Sequence, residues 1–172
     1  LYDAEIVPVG KDQLQHLEMS RDVANRFNNI VGDTLIPPNA KIQEETKLVP
    51  GTDGEKMSKS RNNIINIFLT DKKLRKQIMS IKTDSKYLED KKNPDNDTIF
   101  ALYKLLASKS EIAEMRIKYE GGNYGYGHAK QELYELVLDK FAIIRERYSY
   151  FMENKNEIDR ALDIGAQKAR KV

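Results

Sequence analysis

The chain has 172 residues, 40% hydrophobic and 33% charged, and 29 basic against 27 acidic residues leave a formal charge of +2. That balance fits a globular protein with a core and a charged surface; it excludes wholesale disorder and leaves any nucleic-acid binding to local patches. No run approaches the ~20 apolar residues that cross a bilayer, so no membrane partner is expected, and with no cysteine there are no disulfides, no thiol catalysis and no Cys-ligated zinc.

The first residue is Leu1, inside the apolar opening LYDAEIVPVG, which reads as a piece lacking an upstream half. Ile6 to Gly10 reads as a short strand ending at glycine, with Pro8 weakening it. From Asp12 the pattern turns helical, with Leu14, Leu17, Val23, Ala24 and Phe27 on one face and a stop near Asn28 or Gly32. Strand, glycine turn and helix make half of an α/β crossover unit. Residues 33 to 63 are rich in turn signals (Pro37-Pro38, Pro50-Gly51, Asp53-Gly54), and so long a loop in a compact domain is usually functional. Short extended pieces fit at Ala40–Ile42 and Ile64–Phe68.

From Thr70 onward the chain reads as helical. Thr70 or Asp71 caps a helix to about Ile81. After a charged, turn-rich stretch, Asn96 or Asp97 caps a second one carrying Ile99, Phe100, Leu102 and Tyr103. Ser110 opens a third, which ends near Gly121-Gly122. Past the turn GGNYGYG a long helix covers about 127–153, with Leu133, Leu136, Val137, Phe141, Ile144 and Tyr148 as its stripe, and a last helix starts near Asn156. The fold class is therefore α/β plus all-α, mostly helical. Residues 1–69 are the α/β part and 70–172 the helical part, and the last helix can pack back on the first.

Two segments can carry chemistry. In PGTDGEKMSKSRNN, Lys56 and Lys59 are three apart and separated by small residues, so both can point at one polyanion, while Ser58, Ser60 and exposed backbone N–H groups add donors. Two glycines, few apolar anchors and several charges predict that few contacts hold this loop. The spacing is not that of a Walker loop. The second segment is Gly10-Lys11-Asp12-Gln13, at the carboxyl end of a strand, where open α/β sheets bind ligands. There glycine admits a nucleotide close to the backbone and Asp12 can accept from ribose hydroxyls. On these four residues alone, Asp12 as an ordinary N-cap with Gln13 solvated is the simpler reading. His16 reads as a structural histidine, His128 as a surface or capping residue, and the tyrosines of GGNYGYG as turn packing.

VPVGKDQLQHLEMSRDVANRFN followed by KMSKS resembles the bacterial-type tryptophanyl-tRNA synthetases, a family of class I aminoacyl-tRNA synthetases, and YEGGNYGYGHAK and IIRERY resemble its C-terminal region. KMSKS marks only the class; the VPVG to RFN run points to the tryptophan member. The family's HIGH-like motif and its indole-reading aspartate are not in this chain. The resemblance therefore implies the C-terminal half of the enzyme: residues 1–69 are the latter part of a Rossmann-like catalytic domain and 70–172 a helical tRNA anticodon-binding domain. It implies ATP-dependent activation of L-tryptophan to the adenylate and transfer to tRNA(Trp), in the cytoplasm, by an enzyme that is a homodimer at full length and inactive as this piece. Lys56 and Lys59 then stabilise the departing pyrophosphate. Gly10, Lys11, Asp12 and the backbone of Val49, with Met57, Ser58 and Ser60 of the loop, hold ATP, and Gln13 sits near the amino group of tryptophan. Mg2+ is implied by the chemistry, with no protein ligand legible. The alternatives are a helical RNA-binding module without catalysis, or another nucleotidyltransferase with this loop, such as a tyrosine-type synthetase.

Overall fold

The computed structural model describes residues 3–10, 13–42 and 49–171. Packing divides the chain into two compact units, Leu1–Lys47 with Asp159–Val172, and Leu48–Ile158.

In the first unit, β1 (Ile6–Val9) leads into α1 (Leu14–Val31), and β2 (Asn39–Ile42) pairs with β1 in parallel, Ile6 opposite Asn39 and Val9 opposite Ile42. Parallel strands need a crossover between them, and α1 supplies it. With only two strands among the described residues, each has a free side, which tolerates Pro8 in β1. Gly32 ends α1 at φ +92°, a conformation that favours glycine, with its N–H on the Asn28 carbonyl. The Asn28 side chain then folds the chain back, accepting from the N–H groups of Thr34 and Leu35 and donating to the Leu35 carbonyl. Arg21 donates to the Asn39 side chain at 3.0 Å, tying α1 to β2. The expected apolar face of α1 is mostly uncovered. Only Ala24 is buried, while Val23 and Phe27 are exposed, because the face of a helix is covered only as far as the sheet beneath it extends.

The second unit holds the core. It comprises α2 (Asp71–Met79), a 3-10 turn at Pro94–Asn96, α3 (Thr98–Tyr103), α4 (Lys109–Gly121) and α5 (Tyr126–Glu153), and it includes the start of α6 (Lys155–Ala169). Leu74 and Ile78 of α2 and Ile99, Phe100 and Leu102 of α3 pack against Ala129, Leu133 and Val137 of α5. Phe100 meets Tyr119 edge-on with ring centroids 5.5 Å apart, a favoured arrangement. Tyr124 is buried next to Tyr119, so it serves turn packing as expected. Asp97 is the N-cap of α3, accepting from the Phe100 N–H at 2.8 Å.

Three boundaries differ from the sequence pattern. The cap of α4 is Ser108, not Ser110: Ser108 accepts from the Glu111 N–H, and the Glu111 carboxylate accepts from the Ser108 N–H at 2.6 Å. Only Ser108 has a glutamate three residues on, and that capping box fixes the start. The α2 helix ends at Met79, with Ser80 as its C-cap, rather than at Ile81. Ile64–Phe68 forms no strand. Two of its N–H groups go to side chains instead: the Asn66 N–H donates to Gln77 Oε1 and the Phe68 N–H to Asn66 Oδ1. Among the described residues no strand follows Thr70.

Packing also groups residues 49–69 with the helices. Met57, Ile65, Ile67 and Leu69 all lie against the helical core. Arg145 of α5 fastens the far end of this segment, donating to the Ile67 carbonyl and to Asp71. Phe68 stacks on Tyr148 of α5 at 4.3 Å.

Candidate functional site

The loop from Val49 to Asn63 is folded back on itself. Pro50 and Lys56 form an antiparallel bridge, with the Met57 N–H on the Val49 carbonyl at 2.9 Å and the Gly51 N–H on the Glu55 carbonyl at 2.7 Å. Met57 points inward, at the wall of an apolar cleft of about 340 Å³ shared with Val49, Ile65, Leu102, Leu105 and Phe141. Lys56 and Lys59 do not line this cleft. Both are exposed, and among the described residues neither ammonium has an ion pair or a side-chain hydrogen bond. The methionine is therefore the anchor, and the lysines on either side of it are left in solvent. Ser58 Oγ lies 3.2 Å from Ser60 Oγ and accepts from the Arg61 N–H, and the Asn62 N–H closes a turn on the Lys59 carbonyl.

The residue that organises this loop was not legible in the sequence. Asn63 is 2% exposed. Its amide donates to Asp53 Oδ1 at 2.7 Å and to the Lys56 carbonyl at 3.1 Å, and its oxygen accepts from the Ser58 N–H at 2.8 Å. The Asn63 amide, with help from the Glu55 N–H and the charge of Arg61, holds the Asp53 carboxyl below its ordinary value. Gly51 is the room Asn63 needs: a Cβ there would sit 2.3 Å from Asn63 Cγ and Nδ2. The expectation of a loop with few anchors thus missed Met57 and Asn63. Composition does not reveal a buried amide, and the only signal is a glycine and an asparagine that meet across the loop.

The second segment lies in the other unit. The Gly10 carbonyl, just after β1, accepts from the Gln13 N–H, just before α1, at 3.0 Å. Lys11 and Asp12 lie outside the described residues. Gln13 is exposed, and its Oε1 accepts from the ring of His16, also exposed, one turn on at 3.0 Å. His128 accepts from the Gly125 N–H at the start of α5, a capping contact. Among the described residues no group of three or more His, Asp or Glu could hold a metal, and no helix is long and apolar enough to cross a membrane.

Comparison with known proteins sets these features in a family. The sequence profile described as tRNA synthetases class I (W and Y) matches residues 1–142. The chain belongs to this class I tRNA synthetase family. It is 49% identical over 172 residues to a tryptophan–tRNA ligase of Campylobacter jejuni, and 47% identical over 173 residues to that of Fusobacterium nucleatum, each match covering 100% of this chain. The crystal structure of tryptophanyl-tRNA synthetase from Campylobacter jejuni complexed with ADP and tryptophan superposes with a TM-score of 0.91 over 99% of this chain and 53% of that one. The mostly helical fold with its small parallel sheet is thus part of a tryptophanyl-tRNA synthetase fold. The synthetase from the archaeon Aeropyrum pernix superposes with a TM-score of 0.60 at 27% identity. The chain spans about half the length of these curated relatives, 54% of the Campylobacter sequence and 53% of the Fusobacterium one.

Proposed function

We propose that this chain is the part of a tryptophan–tRNA ligase that carries the phosphate-binding loop and the helical tRNA module. The observation that carries this is the 49% identity to a tryptophan–tRNA ligase along the whole chain. Residues 1–69 then act with the catalytic domain, although their loop packs on the helices, and residues 70–172 form the anticodon-binding part.

The reaction places definite demands on the loop. A carboxylate oxygen of tryptophan attacks the α-phosphorus of ATP, the bond from that phosphorus to the bridging oxygen of pyrophosphate breaks, and negative charge grows on the leaving group. No side-chain nucleophile or base is required; catalysis consists of positioning and charge stabilisation. Lys56 and Lys59, exposed and unpaired among the described residues, are suited to meet that charge. Ser58, Ser60 and the backbone of Met57 add hydrogen-bonding groups, and the Val49 backbone meets the adenine. Gly10, Lys11 and Asp12 contact the nucleotide, Asp12 through the ribose, and Gln13 lies near the amino group of tryptophan. The described residues offer no donor set for Mg2+, so no step here is assigned to it. The partners are tRNA(Trp) and, for the full-length protein, a second copy of itself; the setting is the cytoplasm.

The test is ATP–pyrophosphate exchange by the full-length protein, with tryptophan and with tyrosine. Exchange that depends on tryptophan is expected, and exchange with tyrosine instead, or with neither, refutes the reading. The 172-residue chain alone should show no exchange, since it spans only half of its relatives.

A further inference from the structure

We infer that Asn63 is a positioning residue for adenylate formation: its buried carboxamide shapes the loop from which Lys56 and Lys59 project. The inference rests on the function proposed above and adds a residue outside the KMSKS sequence.

The geometry is specific to an amide. Both N–H groups of Nδ2 are used, one on the Asp53 carboxylate and one on the Lys56 carbonyl, and Oδ1 takes the Ser58 N–H. Turned over, the amide would set NH2 against the Ser58 N–H and its oxygen against two acceptors, so a single orientation fits. An aspartate in its place cannot donate to Asp53, and leucine of similar size would leave three polar groups unmatched. The Asn63 backbone takes part as well, its carbonyl accepting from the Thr52 N–H at 2.9 Å.

These bonds reach Lys56 directly and Lys59 through Ser58 and the turn that follows it. The Lys56 carbonyl is on Asn63, the Met57 N–H is on Val49, and the Ser58 N–H is on Asn63, so three consecutive backbone positions are fixed. Ser58 passes the constraint on through its Oγ to the Arg61 N–H, next to the turn that the Asn62 N–H closes on Lys59. Both ammonium groups therefore start from backbone whose path the one buried amide sets. Asp53 supports it from outside and touches neither lysine in any hydrogen bond or ion pair. Catalysis by positioned charge is sensitive to displacements of about 1 Å, which can cost on the order of 100-fold in rate.

The experiment uses the full-length protein and measures tryptophan-dependent ATP–pyrophosphate exchange for wild type, Asn63→Ala, Asp53→Ala and the exchanged pair Asn63→Asp with Asp53→Asn. The expected result for Asn63→Ala is a kcat lowered on the order of 100-fold with the KM for tryptophan unchanged. Asp53→Ala should show a smaller loss of the same kind. The exchanged pair should exceed Asn63→Ala but stay well below wild type, because the amide then at position 53 can donate to the carboxylate at position 63, which still accepts from the Ser58 N–H, while the Lys56 carbonyl loses its donor and faces a carboxylate oxygen. If Asn63→Ala does not fold, Asp53→Ala and the exchanged pair give the same reading. Unchanged kcat in Asn63→Ala or Asp53→Ala overturns the inference, as does a loss that falls equally on kcat and tryptophan KM without recovery in the exchanged pair; the functional proposal would survive either result. A wild type without tryptophan-dependent exchange refutes that proposal instead.

Discussion

Adding one methyl group at Gly51 should open the loop of residues 51–63 while leaving the helical core closed. Gly51 has no positive φ, so its role is space rather than backbone freedom. A Cβ at this position would lie 2.3 Å from Asn63 Cγ and Nδ2 and 2.7 Å from the Asn63 carbonyl oxygen, well inside contact distance. The side chain of Asn63 has to leave, and its three hydrogen bonds go with it. At about 1 kcal/mol for each bond the loss is about 3 kcal/mol, of which water returning to Lys56 and Ser58 recovers a part. The clash with the backbone oxygen remains even after the side chain has moved, which adds overpacking of about 1 kcal/mol. Gly51→Ala should therefore lower the free energy of local opening over residues 51–63 by about 3 kcal/mol, equivalent to a protection factor reduced on the order of 100-fold. Amide hydrogen exchange of the full-length protein reads this directly, peptide by peptide. Peptides from residues 129–137 of α5 should exchange nearly as in wild type, because that helix face packs chiefly on α2 and α3 and shares only the wall of the apolar cleft with Met57. In an Asn63→Ala background the same substitution should cost only the backbone part. Wild-type protection across residues 51–63 in Gly51→Ala would refute the fit between glycine and asparagine.

Three further outcomes follow from the same structure. In the full-length protein Lys59→Ala should slow adenylate formation by the equivalent of about 2–4 kcal/mol while tryptophan affinity stays constant, since in the proposed role its ammonium meets charge present mainly in the transition state; an unchanged pyrophosphate-exchange rate would remove Lys59 from the mechanism. Burial raises the Asp97 carboxyl above its ordinary 3.8, outweighing the hydrogen bonds from the Phe100 N–H and the Tyr119 hydroxyl; ionising it thus costs stability as pH rises from 3.8 through its folded value. Asp97→Asn, which keeps the cap acceptor, should be more stable than wild type at pH 7 and lose that advantage below 3.8, and urea midpoints across pH that run in parallel would contradict this. Ser108→Ala removes one half of the capping box of α4 and should cost about 1 kcal/mol in the same urea assay, with no effect on pyrophosphate exchange.

What was legible in the sequence is what local rules decide. Gly10 and Gly32 punctuate a three-to-four-residue apolar rhythm, so β1 and α1 follow from the chain near them, and the parallel partner follows from the crossover that α1 makes. The same rules went astray where two local signals compete. Ser108 and Ser110 are both good caps, and the glutamate three residues after the first decides between them. Ile64–Phe68 has the apolar character of a strand, but it meets Gln77 and its own Asn66 side chain before it meets another strand. At the candidate site the exposure of Lys56 and Lys59 was legible from a charged, turn-rich loop, whereas two lysines three apart are by themselves an ordinary solvated surface, and the role proposed for them came from the resemblance of the whole KMSKS run. Lys11 and Asp12, read as nucleotide contacts, lie outside the described residues.

Asn63 belongs to a different category, and it shows why a motif can mark a site without containing all of it. Lysines that face a phosphate need only be exposed, and exposure is a property of the local chain. Holding those lysines on one path requires a buried polar group with every hydrogen-bonding atom matched, since an unmatched one costs about 1–3 kcal/mol. The matching atoms come from Asp53, Lys56 and Ser58, and the space comes from Gly51. None of these four is unusual by itself in a turn-rich loop. Only their convergence on one amide distinguishes a shaped loop from a solvated one, and convergence is a fact about folded distances that residue spacing does not encode.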